Sequence, residues 1–170
     1  MPQAWWIKVG ITWRTETLAG CAAMHWWEDF VAAEPEFAKR VRARFAVRKH
    51  GTLATLRKDG SPRISGTEID FEGGGLWLGS MRGARKALDL LRDPRLAVHC
   101  PTEDTPEDDP GSWGGDAKIS GLAHDVTESS DSHRFRIEIT EVVLTTVTND
   151  GEVVVETWHP GRGLERHVRT

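Results

Sequence analysis

The residues best placed to do chemistry lie between Leu76 and Pro94, where a hydroxyl, a guanidinium and an ammonium fall around one turn. Leu76-Trp77-Leu78 is apolar and β-prone, and predicts a short buried strand ending at Gly79. Ser80 to Gly83 reads as a turn, with Gly83 free to take backbone angles that other residues avoid. From Ala84 the apolar positions Ala87, Leu88 and Leu91 recur at the spacing of a helix face. Asp93-Pro94 stops that helix, because the residue before proline is pushed out of the helical region. Arg85 and Lys86 therefore stand in the first turn. The free N–H groups and dipole of a helix start favour an anion, and Ser80, Arg85 and Lys86 add charge-assisted donors. That is a phosphate site in outline. A solvated basic helix start has the same residues.

Other chemistries find less support. The seven histidines, His25, His50, His99, His124, His133, His159 and His167, lack the close paired spacing of a zinc site, so no metal is expected. No serine sits in a Gly-x-Ser-x-Gly elbow, and neither Cys21 nor Cys100 has the sequence surroundings of an activated thiol. The acidic run from Glu103 to Asp109 contains proline and no glycine-ended ligand loop, which reads as a solvated loop rather than a cation site.

The elements that must position the turn follow from period and punctuation. A chain of 170 residues suits one domain with a sizeable core. The net charge of −4 gives no global basic field for nucleic acid, and no apolar run approaches the roughly 20 residues of a membrane span. Two distant cysteines build no disulfide framework, so the expected setting is the reducing cytoplasm. Residues 1–23 are unlike the rest and lack a signal-peptide core. They are read as an extension, disordered or lying upstream of a true start at Met24, with the domain spanning 24–170. From Pro35 a helix is expected with Phe37, Val41 and Phe45 inward and Lys39, Arg40, Arg42 and Arg44 on a solvated face. Strands are expected at 51–57, 63–71, 76–79, 95–100, 117–124, 135–147 and 152–158, with a hairpin turn at Asp59-Gly60, a long loop from Pro101 to Asp116, and a bulge or close backbone approach at Gly121. Strands follow hairpins, not helices, so the sheet is expected to be antiparallel and closed into a barrel.

The order of these parts is specific: Asp59-Gly-Ser-Pro-Arg-Ile-Ser-Gly66, a strand, Gly79-Ser-Met-Arg-Gly-Ala-Arg-Lys86, then Leu91-Arg-Asp-Pro-Arg-Leu-Ala-Val98. From about Glu34 to Val147 it resembles the pyridoxamine 5′-phosphate oxidase-like family of FMN-binding split barrels. The resemblance implies a mainly β (α+β) fold, a six-stranded antiparallel split β-barrel with flanking helices, working as a homodimer with cofactor at the interface. It implies that Arg85 and Lys86 hold the cofactor phosphate with Ser80 and Met81 beside it. It also implies that Arg63, Ile64, Ser65 and Gly66 run along the isoalloxazine ring, where a backbone N–H can stabilise the reduced form.

Two departures bear on the substrate. Ser65 stands where the true oxidases carry a ring-facing arginine, and Arg162 to Arg169 holds Arg166-His167 without the family's substrate-gripping spacing. The resemblance thus implies an FMN-dependent oxidoreductase of unknown small-molecule substrate, with these departures counting against the vitamin B6 phosphate. The alternatives on the same barrel are a reductase using the deazaflavin coenzyme F(420) and a flavin-binding protein without catalysis. No side chain stands out as an acid or base. Trp113 and Trp158 are expected to be exposed and to cover the cofactor from the partner or the acidic loop.

Overall fold

The computed structural model describes residues 24–128 and 131–169; the reading of residues 1–23 lies outside them. Eight strands form one antiparallel sheet: β1 (His50–Leu56), β2 (Pro62–Asp70), β3 (Trp77–Met81), β4 (Arg95–His99), β5 (Asp116–Asp125), β6 (Ser132–Val147), β7 (Val153–His159) and β8 (Gly163–Arg169). Three helices accompany them: α1 (Trp27–Ala33), α2 (Pro35–Phe45) and α3 (Arg85–Arg92). The strand order is β3-β2-β1-β4-β5-β6-β7-β8, and β3 also pairs with β6. That extra pairing closes six strands into a barrel and leaves β7 and β8 as a hairpin extending from the far half of β6.

One strand makes both joins. The first residues of β6 pair with β3, from Ser132 opposite Met81 to Arg136 opposite Trp77, and its last six pair with β7. Its inward residues are Phe135, Ile137 and Ile139, after which the alternation shifts to Val142 and Leu144. The shift is a bulge: Ser120 pairs with Glu141 but Gly121 with Ile139, so Thr140 is the extra residue. Gly121 is required there, because a Cβ would run into the Glu138 carbonyl. The expected close approach at Gly121 is present.

The core fills the barrel and continues beneath α1 and α2. Phe30 packs edge-on to Phe37 at 5.7 Å and against Trp158 at 4.8 Å, while Trp27 meets Phe71 at 4.6 Å. Trp158 is 4% exposed, which corrects the expectation that it stands free to cover a ligand. Trp113 is half-buried, and its Nε1 donates to the Glu103 carbonyl at 3.0 Å, pinning the acidic loop to itself.

Several expectations shift by an element or a face. The sequence reading has two helices and ends its strands at β7; α1 and β8 are additional. The solvated face of α2 is also corrected, since Arg44 is buried and ion-paired with Glu103, and Arg40 meets Glu156 at 2.6 Å. In α3 the inward residues are Ala87, Asp89 and Leu90, while Leu88 and Leu91 are exposed. Leu90 stands three residues from Ala87 and Leu91 stands four, so apolar periodicity alone could not choose between them, and it gives no sign that the polar Asp89 turns inward. Finally, β3 runs through Ser80 to Met81, so Ser80 is a strand residue and the turn is only Arg82-Gly83. Gly83 holds that turn at a φ of 74°, a region other residues avoid.

Candidate functional site

The end of β3 and the start of α3 border a groove of about 650 Å³, a size typical of small-molecule sites. Its walls come from the middle of β2 (Gly66 to Glu68), the end of β3 (Trp77 to Met81), Ala84 and Lys86, and the start of β6 (Ser132 to Arg134). Closure of β3 on β6 builds this wall: Ser80 sits directly opposite His133, their side chains on one face of the ladder. Both carry a stranded polar atom. Among the described residues, Ser80 Oγ and His133 Nδ1 are buried and have no hydrogen-bond partner. Buried polar atoms are normally paired, since leaving one unmet costs about 1–3 kcal/mol.

Two cations line the groove, Arg134 on β6 and Lys86 at the helix start. Lys86 Nζ donates to the Gly66 carbonyl at 2.8 Å, which ties the helix start to β2. Burial holds this ammonium below the usual lysine range, against the opposing pull of Glu68. A desolvated cation gains from an anion brought close to it. The helix behind it is open to the same anion: Ala84, at the N-cap of α3, gives no side-chain cap, and the first turn holds no acidic residue. The walls also leave room. A Cβ at Gly66 or Gly79 would meet nothing within 4 Å, so the backbone at both positions is bare toward the space around it. Trp77 adds an aromatic wall held by its Nε1 bond to the Glu72 carbonyl at 2.9 Å, with the Arg134 guanidinium over its ring at 4.6 Å.

The residues singled out in the sequence do not all meet here. Gly66, Ser80, Met81 and Lys86 line the groove. Arg63 and Arg85 line a second hollow of about 700 Å³, with Arg57, Lys58 and Arg92. Successive helix residues point about 100° apart, which is why Arg85 and Lys86 face different hollows. Arg63 is engaged: its Nε donates to Asp89 Oδ2 at 2.6 Å. Ile64 is 69% exposed and Met81 80%, while Ser65 is half-buried opposite Leu53 and lines neither hollow. His133 and Trp77 were not singled out. The signal for His133 is its register opposite Ser80, which exists only once the barrel closes.

The fold and groove define a closed antiparallel split barrel with an anion-receptive groove at a helix start. Residues 37–141, more than half of the chain, match the family described as pyridoxamine 5′-phosphate oxidase, and the chain belongs to that family. Among solved structures it is similar to PhzG from Burkholderia lata 383, determined in complex with tetrahydrophenazine-1-carboxylic acid. The two are 13% identical, the match covers 85% of this chain and 93% of that one, and the TM-score is 0.62. It is also similar to a pyridoxamine 5′-phosphate oxidase-related, FMN-binding protein from Nostoc punctiforme PCC 73102, with 7% identity, 81% and 96% coverage and a TM-score of 0.59. At these identities the likeness to both is one of fold. No curated protein matches the chain.

Proposed function

We propose that this chain is an FMN-dependent oxidoreductase of the pyridoxamine 5′-phosphate oxidase-like family, acting on a small molecule as a homodimer in the cytoplasm. The observation that carries the reading is the groove's polarity, a partly desolvated Lys86 ammonium with donors to spare beyond its Gly66 bond, and a buried Ser80 Oγ with no hydrogen-bond partner among the described residues. Both are groups that a phosphate would satisfy. The bare backbone at Gly66 and Gly79 and the Trp77 wall suit a flat ring. FMN, when bound, supplies hydride chemistry at its isoalloxazine ring. The chain's part is to hold and shield: Lys86 and Ser80 take the phosphate, Gly66 admits the ring, and Arg63, Ile64 and Ser65 continue the strand beside it. Arg85 adds positive charge from the neighbouring hollow.

The purified protein is expected to be yellow, with flavin absorbance bands and FMN released on heating. A colourless chain that leaves added FMN free but binds the deazaflavin coenzyme F(420) would replace FMN with that coenzyme. A chain that binds neither would refute the cofactor reading. No helix among the described residues is long and apolar enough to cross a membrane, and the buried Cys100 thiol is free, which suits a reducing compartment.

The dimer rests on exposed apolar surface. Ile64, Met81, Leu88 and Leu91, on β2, β3 and α3, are large apolar side chains standing in solvent around the two hollows. Ligand bound only by the associated state draws the equilibrium toward it. Sedimentation across a dilution series is therefore expected to show a dimer that persists to lower concentration with FMN than without. A monomer holding FMN as tightly as the dimer would overturn this.

A further inference from the structure

Away from the groove, the end of β4 and the start of β5 bring three side chains of different chemistry together. One donor atom from each of His99, Cys100 and Asp116 lies within 4.8 Å of the other two. His99 and Cys100 are neighbours in the chain, but Asp116 lies far along it, and the antiparallel pairing of β4 with β5 brings it to them. Each group is prepared. His99 Nδ1 lies 2.7 Å from the Cys100 carbonyl, which can only accept, so Nδ1 carries a proton and the neutral ring that a metal requires has its lone pair on Nε2. That Nε2 lies 4.0 Å from Asp116 Oδ2. The other carboxylate oxygen, Oδ1, is buried with no hydrogen-bond partner among the described residues. Cys100 Sγ accepts the Ala117 N–H at 3.1 Å, a contact that favours a thiolate.

We propose that His99 Nε2, Cys100 Sγ and the Asp116 carboxylate ligate one zinc-class divalent cation, with a fourth position open to water. The donor set is mixed nitrogen, sulfur and oxygen, which suits zinc and excludes the all-oxygen preference of magnesium or calcium. A ring N–H held by a backbone carbonyl is the usual outer support of a metal-bound histidine. Bonds of about 2.0–2.3 Å in a tetrahedron put donors roughly 3.3–3.8 Å apart, so the three need close by only about 1 Å. On binding, the thiol gives its proton to solvent, and thiolate and carboxylate together balance the two positive charges. Burial keeps the metal-free thiol protonated, which the ion's own charge reverses. Arg44, whose charge is felt at this thiol, is ion-paired through Nη2 with Glu103, while its Nε is buried with no partner among the described residues.

Cobalt titration of the tag-free full-length chain tests this. The expected result is one Co²⁺ per chain, with near-ultraviolet thiolate-to-cobalt absorption and the visible bands of a four-coordinate ion, both erased by Zn²⁺. His99→Gln and Asp116→Asn, at half-buried positions, should keep the fold by circular dichroism and weaken cobalt binding about tenfold or more. Cys100→Ser should remove the near-ultraviolet band. Absence of that band in the wild-type chain overturns the proposal. So does a band that survives in Cys100→Ser, which would belong to Cys21, or one indifferent to both folded variants. If Cys100→Ser fails to fold, the other two variants decide.

Discussion

Replacing Lys86 with alanine is expected to weaken FMN binding about 10- to 100-fold, and to leave riboflavin binding nearly unchanged. A charge-assisted hydrogen bond is worth about 1.5–3 kcal/mol, and Lys86 lines the groove with its charge already stripped by burial of part of its hydration. The comparison with riboflavin isolates the phosphate, because riboflavin presents the same ring without it. Arg85→Ala should cost less, since the Arg85 side chain faces the neighbouring hollow and acts through solvent. The double variant should lose several kcal/mol in all. Fluorescence titration of both ligands reads the result. An unchanged FMN affinity, or an equal loss for riboflavin, would remove the phosphate from Lys86.

The sequence shows such a site unevenly, for physical reasons. Lys86 and Ser80 are legible because a strand, a glycine turn and a helix start are local events within a dozen residues. His133 is not legible, because it reaches Ser80 only through the β3–β6 ladder that closes the barrel. The His99, Cys100 and Asp116 trio is hidden for the same reason, assembled across two strands and the loop between them. Nor does adjacency in sequence guarantee adjacency in space: Arg85 and Lys86 are neighbours in the chain and face different hollows.

The fold divides along similar lines. The alternation in β6 and the Asp59-Gly60 turn carry strong local signals, so these elements stand where their pattern places them. By contrast, β8 exposes Leu164 through Arg169 and has no apolar face to reveal it; its register against β7 makes it a strand. The helix α1 is only seven residues long, too short for its period to show, and is fixed by Asp29 accepting the Trp26 N–H at 2.8 Å and by Phe30 in the core.

Asp89→Ala is expected to destabilise the chain by about 3 kcal/mol and to loosen the helix that carries Lys86. Asp89 is 4% exposed and takes donors from three directions: Arg63 Nε at 2.6 Å, Thr55 Oγ1 at 3.0 Å and Arg92 Nη2 at 3.1 Å. Breaking a buried charge network costs about 3–5 kcal/mol. The low end applies here, because Arg63 and Arg92 keep some contact with water. The same carboxyl sets an acid limit. Burial pushes its pKa up, but the bonds from Arg63, Arg92 and Thr55 outweigh that and hold it below the ordinary 3.8. A group whose pKa is depressed in the folded state contributes its full stability above the unfolded pKa. It loses that contribution as pH falls through the folded one. Urea midpoints measured from about pH 6 down to pH 2 should therefore fall in the wild-type chain and fall less in Asp89→Asn, which keeps the shape but has no proton to take up. Asp93, lowered to about 2 by Arg95, remains in both, as do Asp59, held low by Ser61, and Glu68, held low by Lys49; together they contribute to the residual slope, and as surface groups they weaken with added salt. Parallel acid limbs in the two proteins would show that Asp89 titrates alike folded and unfolded, and the network would lose its role in anchoring α3.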